Sequence, residues 1–328
     1  MSGKRNTADS IAYPLLKEIR NGITIVTPTF NRHDGLKTAL LSAFKQKVEG
    51  HHVEIIVIDN NKTSQEEAQV NTLTRTSPFK ITYVHVAESG LSNARNAAMD
   101  RIRTRYVAFL DDDMIASPDW LSELIKTSIK YKAGIVFAPA FARMPNQNDP
   151  RNPHMEPYFS RLIDDKDKEG IIHETLGMGG CLLDLTLCKL PTPPFDPKLN
   201  QKGGEDDILF DHLRQQGTKI AWSPDAITYE VVPQNRATTH YIRVRNFGYG
   251  QGPSRICANR GLAGILGVLY YMSTGCIQLL IYGPIGLFLR LIKKPSYIKY
   301  VALSSRALGK IFWLDRFCLE LYGKPKNC

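Results

Sequence analysis

Between residues 23 and 139 short apolar runs alternate with amphipathic stretches, and this alternation restricts the fold more than any other feature of the chain. Ile23-Thr24-Ile25-Val26 reads as a buried strand, and residues 53–58, 81–86, 106–110 and 135–138 as four more. Leu36, Leu40 and Phe44 recur four apart, as one face of a helix requires, and residues 92–100 also have helical character. Ser117 followed by Pro118 reads as a helix start: a capping hydroxyl, then a residue whose missing N–H costs nothing. The alternation predicts an α/β fold, a mixed and mainly parallel sheet flanked by helices on both faces.

Sheets of this kind bind ligands beyond the carboxyl ends of their strands. The segments following the first, second and fourth strands are Pro28-Thr29-Phe30-Asn31-Arg32, Asp59-Asn60-Asn61 and Asp111-Asp112-Asp113, all polar and all expected at one crevice. Three adjacent carboxylates repel one another unless a cation compensates. Mn²⁺ or Mg²⁺, which favours a few carboxylates together with donor phosphates and water, is the expected cofactor. A solvated acidic loop is the alternative, and the strand-end position favours the metal. Asp59 either accepts hydrogen bonds from a base or ribose, or is an ordinary turn residue. Glu205-Asp206-Asp207, after Gly203-Gly204, either contains a general base for an attacking hydroxyl or simply complements a helix dipole. Arg236, Arg243 and Arg245 either clamp a diphosphate or form a solvated or membrane-facing basic surface.

Residues 141–170 are rich in Pro, Asn, Asp and Arg and read as a long loop, a candidate lid. Residues 177–183 return to the sheet, 205–216 form a helix ended by Gly217, 220–222 and 227–232 are strands, and 238–249 form a basic helix. Residues 261–289 then contain no charged side chain, a length sufficient to cross a bilayer. Gly275, Gly283, Pro284 and Gly286 interrupt this stretch. Cations flank both sides, Arg255 and Arg260 before it and Arg290, Lys293, Lys294 and Lys299 after it. Basic residues at both ends argue against a single span. The expectation is a re-entrant or hairpin element with both ends cytosolic, with Ile311, Phe312, Trp313, Leu314 and Phe317 at the interface. A soluble helical subdomain is the alternative.

Over 328 residues the apolar fraction of 43% and charged fraction of 23% are those of a folded protein. The net charge of +10 favours anionic partners. RNA-binding aromatic signatures, zinc-finger spacings and basic heptads are missing, so nucleic acid is not an expected partner. The six cysteines form no C-x-x-C pair and read as reduced thiols. The polar first twenty residues lack an apolar signal core, so the expectation is that the chain's folded part stays in the cytoplasm.

Five stretches now stand in order: 25–32, 56–60, 90–96, 109–113 and 203–206. In these the chain resembles family 2 glycosyltransferases of the GT-A fold, and within them bacterial exopolysaccharide glycosyltransferases of the succinoglycan type. The resemblance covers roughly residues 22–250. It implies that Pro28, Thr29 and Arg32 line a nucleotide pocket, that Asp59 reads the base (typically uracil), and that Asn93 and Arg95 approach the nucleotide. Asp111 would bind the nucleoside side, with Asp112 beside it in the donor site, Asp113 the metal, and Asp206 would be the catalytic base of an inverting displacement. Many relatives carry a metal-binding His after the last core strand; here Glu230 stands in the comparable stretch, and either it substitutes as a ligand or that ligand is missing. The Q-x-x-R-W motif of processive synthases is absent, which points to one sugar per encounter. The implied partners are a UDP-sugar donor, a glycan or polyprenyl-diphosphate-linked acceptor and a membrane surface. The domain expectation is an extension over residues 1–21, a catalytic domain over 22–250 and a helical, membrane-associated region over 251–328. Two rivals remain: a nucleotidyltransferase, disfavoured because residues 27–32 contain no Gly, and a non-catalytic membrane scaffold that kept the fold.

Overall fold

The computed structural model describes residues 20–165, 167–200, 204–258 and 261–317. Gly203, Arg260, Cys318, Cys328 and residues 1–19 of the expected N-terminal extension lie outside these. The chain divides into two compact units, Met1–Phe141 with Arg161–Glu230, and Ala142–Ser160 with Val231–Cys328. The division falls at Glu230 rather than near residue 250, and it assigns part of the expected long loop to the second unit.

The first unit follows the alternation read from the sequence. Its elements begin with β1 (Arg20–Thr29), α1 (His33–Ala43), β2 (His52–Asp59), α2 (Glu67–Thr74), β3 (Lys80–His85), α3 (Leu91–Met99) and β4 (Thr104–Phe109). They continue with β5 (Met114–Ala116), α4 (Trp120–Tyr131), β6 (Ile135–Phe137) and β7 (Ala140–Arg143), the last running on into the second unit, which also holds the short helix α5 (Asn152–Met155). The chain then adds β8 (Gly170–Ile172), β9 (Leu182–Asp184), α6 (Glu205–Gln215), β10 (Ile220–Trp222) and β11 (Thr228–Val231). Eight strands form one sheet in the order β3-β2-β1-β4-β9-β6-β10-β8. The strands from β3 to β4 are parallel, β9 runs antiparallel between β4 and β6, and β8 closes the edge antiparallel to β10.

Why the strands read as near-continuous apolar runs is plain from the two cores. Side chains alternate across a sheet, so Ile23, Ile25, Ile55, Val57 and Ala108 point to the face covered by α1, α2 and α4. Val26, Ile56, Ile58, Val107 and Phe109 point to the face covered by α3 and α6. Both faces are covered, and the polar Thr24 among these strands has its hydroxyl hydrogen-bonded, to Glu54 and Thr104.

Three local expectations are corrected. Ser117 does not cap α4: the helix begins at Trp120 after Asp119, and the Ser117 hydroxyl is buried without a hydrogen-bond partner. The Ser117 N–H donates to the Ile227 carbonyl at 2.9 Å and its carbonyl accepts from the Trp120 N–H at 3.1 Å, a tight turn that precedes the helix. Met114–Ala116, unforeseen as a strand, forms a small sheet of order β5-β11-β7, with β11 antiparallel to β5. Residues 141–170 are not a structureless loop, since they supply most of β7, α5, the start of β8 and a bridge between Ala140 and Arg161.

In the second unit Met144, Met155, Phe159, Val232, Ile242, Ile298 and Ala302 form a separate core. The basic helix extends well past residue 249, as α7 (Thr239–Ala258). It is followed by α8 (Ile265–Leu291) and α9 (Tyr297–Ile311). The expected hairpin within 261–289 is therefore replaced by one continuous helix that retains Pro284 in its interior.

Candidate active site

The ends of β1, β2 and β4 are in register side by side: Thr29 pairs with Asp59, and Val26 with Phe109 just before the acidic triplet. Asn31 follows β1 with φ 56, a left-handed conformation that Asn tolerates better than most residues. Its N–H donates to Asn61 Oδ1 at 3.0 Å. This turn sends Arg32 toward the triplet. Nη1 of Arg32 donates to Asp112 Oδ1 at 2.8 Å and to Asp113 Oδ2 at 2.5 Å. Thr29 Oγ1 donates to Asp112 Oδ2 at 2.9 Å. Asp112, which had only a loose place in the donor group, is thus the anchor that ties the triplet to the end of β1. Burial and the neighbouring Asp113 push its carboxyl up to about 6, against the pull of Arg32 and Thr29. Pro28 is buried within β1. Gly35 on α1 lets the triplet pass: a methyl there would stand 2.5 Å from the Asp112 carbonyl oxygen.

Asp111 is the electrostatic centre. Burial, more than any neighbour, raises its carboxyl above the usual range; Arg95 and Arg161 oppose this, while Asp113 and Asp206 add to it. Gly179 passes directly over it, and a methyl on that residue would overlap Asp111 Oδ2 and approach Met114 Sδ to 2.9 Å. Asp206, in the first turn of α6, accepts the Met178 N–H on Oδ2 at 3.1 Å and the Asp207 N–H on Oδ1 at 3.0 Å. The helix starts from Gly204 at φ 86, a left-handed position suited to glycine.

Arg95 is buried and pairs with Glu205 at 2.6 Å, while its Nε has no partner. Its charge favours the ionised form of Asp111. Asn93 donates its backbone N–H to Asn200 Oδ1 at 3.1 Å, so a residue more than a hundred positions along the chain caps α3. Gly90, at φ 153, is what lets Asn200 in, because any Cβ there would overlap its side chain.

Asp59 departs most from the role implied for it. It is fully buried, and its Oδ1 accepts from the N–H and side-chain amide of Asn61, its Oδ2 from the N–H groups of Gln65 and Glu66 and from the Tyr83 hydroxyl. Five donors exceed the roughly four lone-pair sites of a carboxylate, so a direct base contact would require one of them to leave. Burial would raise its pKa, but these hydrogen bonds together hold it below the ordinary value of 3.8. The observed work of Asp59 is to shape residues 59–66.

Arg161 was not anticipated. The bridge between Ala140 and Arg161 brings it beside Asp111, its Nε is buried without a hydrogen-bond partner, and Glu230 Oε2 lies 3.9 Å from that atom. Glu230, expected as a metal ligand, therefore has a guanidinium as its ionic neighbour. Among the described residues no group of three or more His, Cys, Asp or Glu stands together as a metal cage. Mg²⁺ and Mn²⁺ sites need none when a diphosphate supplies oxygens, since one or two carboxylates then suffice. Asp111 and Asp113, two residues apart just after the end of β4 and with Asp113 near enough to raise the pKa of the Asp111 carboxyl, fit an ion shared with a bound phosphate donor. Arg236 and Arg245 are engaged within the second unit, Arg236 over the Tyr241 ring and Arg245 with the Tyr249 hydroxyl and the Tyr158 carbonyl.

Residues 24–185 match the model of the family described as Glycosyl transferase family 2. The chain is 31% identical over 249 residues to the succinoglycan biosynthesis protein ExoM of Rhizobium meliloti, which covers 73% of this chain and 76% of that protein. It is 29% identical over 119 residues to ExoW of the same organism, a match covering 35% of this chain and 37% of that protein. Among solved structures, S. aureus TarS 1–349 in complex with UDP superposes with a TM-score of 0.51 at 14% identity, covering 88% of this chain and 90% of that one, a likeness of fold.

Proposed function

The chain belongs to glycosyl transferase family 2 and has the GT-A fold, and from that premise we propose that it moves one sugar from a UDP-sugar to a glycan or polyprenyl-diphosphate-linked acceptor in polysaccharide synthesis, with inversion at the anomeric carbon. The observation that carries this reading is the convergence on Asp111 of its near neighbour Asp113 and of Arg95, Arg161 and Asp206 from three other segments. TarS, whose fold is similar, was solved with UDP, which supports a uridine diphosphate donor.

The chemistry asked of these residues is a single displacement. The acceptor oxygen bonds to the anomeric carbon as the bond from that carbon to the diphosphate oxygen breaks, and the acceptor proton passes to Asp206. Two backbone N–H groups hold the Asp206 carboxylate in place and leave it lone pairs for that proton. The Nε of Arg161, lacking a hydrogen-bond partner, can meet negative charge on the departing diphosphate. Thr29, Arg32 and Asp112 keep the end of β1 against the triplet, so the donor enters a preformed crevice. Mn²⁺ or Mg²⁺ held by Asp113 beside Asp111 would neutralise charge on the leaving group. Glu230 has no part in holding it, and Asp59 acts by shaping its loop. The work takes place at the cytoplasmic face of a membrane, where a lipid-linked acceptor would be presented.

Asp206→Asn tests the assignment. Transfer should fall about a thousandfold, while UDP-sugar affinity stays within a few-fold. Full transfer by this variant would remove Asp206 as the base. Transfer only to soluble sugars, and none to a polyprenyl-diphosphate sugar, would remove the lipid-linked acceptor.

A further inference from the structure

Among the described residues one helical run, Gly261–Leu291, is long and apolar enough to cross a membrane. Its packing argues for a different placement. We infer that α8 lies along the surface of an anionic bilayer, with its exposed apolar side sunk into one leaflet, and does not cross it. This deepens the membrane reading above and is independent of the transferase chemistry.

One side of α8 is covered by protein along its length. At Gly275 an added methyl would stand 2.8 Å from the Ala307 carbonyl oxygen, and at Gly286 3.2 Å from Tyr300 Cβ, so α9 lies close against it at both points. Near the other end Gly267 faces Cys257 of α7, where a methyl would stand 2.6 Å from Sγ. Two of the glycines expected to interrupt the helix, Gly275 and Gly286, are thus contact points with α9, whereas Gly283 faces open space. The decisive contact is polar: Lys310 Nζ of α9 donates to Gln278 Oε1 at 2.9 Å. Gln278 sits at the middle of α8, and a crossing helix would carry that ammonium to the bilayer centre, where charge is most costly. α9, with 15 residues, is too short to span, and its Arg306 is held by Asn246 of α7.

Among the described residues none covers the opposite side of α8. Leu266 is 80% exposed, Leu280 76% and Leu291 72%, with Tyr270, Ile277 and Phe288 also open. Alone, α8 lacks the polar face of a surface-lying helix; α7 and α9 supply it, so the three helices together are amphipathic. Charge identifies the lipid. From residue 231 to residue 314 there is no Asp or Glu, against eleven Lys and Arg. Arg290, Lys293, Lys294 and Lys299, beyond the end of the apolar face, are exposed. An anionic headgroup layer complements that surface.

The test uses the full chain with vesicles of phosphatidylcholine alone or mixed with phosphatidylglycerol. Binding to the anionic vesicles should be at least about tenfold tighter, and Lys293→Gln with Lys294→Gln should remove about tenfold of it. Equal binding to both vesicles, or an unaffected double variant, overturns the anionic assignment. Bimane is then placed singly at Leu266→Cys, native Cys276 and Phe288→Cys, other accessible thiols being replaced by serine, and quenched by lipids brominated at known depths. Similar shallow depths at all three support the surface placement; a deep label at Cys276 between two shallow ones means crossing and overturns it, as does binding to neither vesicle. UDP-sugar hydrolysis measured in parallel without lipid keeps the two readings separable: a protein that binds vesicles but never hydrolyses any donor counts against the transferase reading alone.

Discussion

A single nitrogen of Arg32, Nη1, lies 2.8 Å from Asp112 Oδ1 and 2.5 Å from Asp113 Oδ2, so one cation holds two neighbouring carboxylates. Arg32→Gln should cost about 2 kcal/mol in urea unfolding, less than a fully buried pair because Arg32 is about one-third exposed. The same variant should bind Mn²⁺ more tightly without donor, by about tenfold, because both carboxylates lose their counter-charge. Unchanged stability together with unchanged Mn²⁺ affinity would refute the role given to Arg32.

Gly179 leaves no room for a methyl beside Asp111. Gly179→Ala should shift that carboxylate and lower donor turnover by about a hundredfold, with little change in circular dichroism. Turnover near that of the parent would mean that the position of Asp111 is not critical.

Asp59 carries a linkage prediction. Its folded pKa lies below the ordinary 3.8, so its ionised form is favoured in the folded state. The stability it adds is fully present above about pH 4 and is lost as pH falls through the lower folded value. Asp59→Asn should be less stable than the parent by about 2 kcal/mol at pH 7, and the gap should close below pH 4. A gap that stays constant down to pH 2 would show that the carboxylate charge is not the source.

Glu230 faces Arg161 at 3.9 Å. In Glu230→Gln the Mn²⁺ concentration for half-maximal activity should stay within about twofold of the parent, whereas loss of a ligand typically costs tenfold or more. A tenfold rise would restore Glu230 as a ligand.

Arg95 and Glu205 form a buried pair, with side chains 4% exposed on each side. Removing one partner, as in Arg95→Met or Glu205→Gln, should cost about 3–5 kcal/mol; the double variant Arg95→Met/Glu205→Leu should cost less than either single change. Additive losses in thermal unfolding would rule out the coupling.

The strand-end acidic segment was legible because it depends on near neighbours in sequence. Buried strands are continuous apolar runs when both faces are covered, so the end of β4 and the start of Asp111-Asp112-Asp113 could be located without coordinates. Ser117 misled because its local chemistry is that of a cap, while the chain makes a tight turn from Ser117 to Trp120 and starts the helix only there. Arg161 left no signal: its place beside Asp111 depends on the bridge to Ala140 and on a segment that reads as loop. Gly275 and Gly286 of α8 misled for a related reason, since in isolation Gly weakens a helix, yet here they admit α9 at close range.

From the sequence alone came the order of elements, the parallel core and the placement of acidic residues at strand ends, because periodicity and burial act over a few residues. Only the tertiary structure decided which carboxylates are already spoken for. Asp59 is saturated by its own loop, Asp112 is an anchor, Glu230 faces a guanidinium, and Asp111 stands among four charges. Those outcomes rest on hydrogen bonds and ion pairs between segments distant along the chain, and a carboxylate's chemistry is set by the donors and charges around it, not by the residues next to it in sequence.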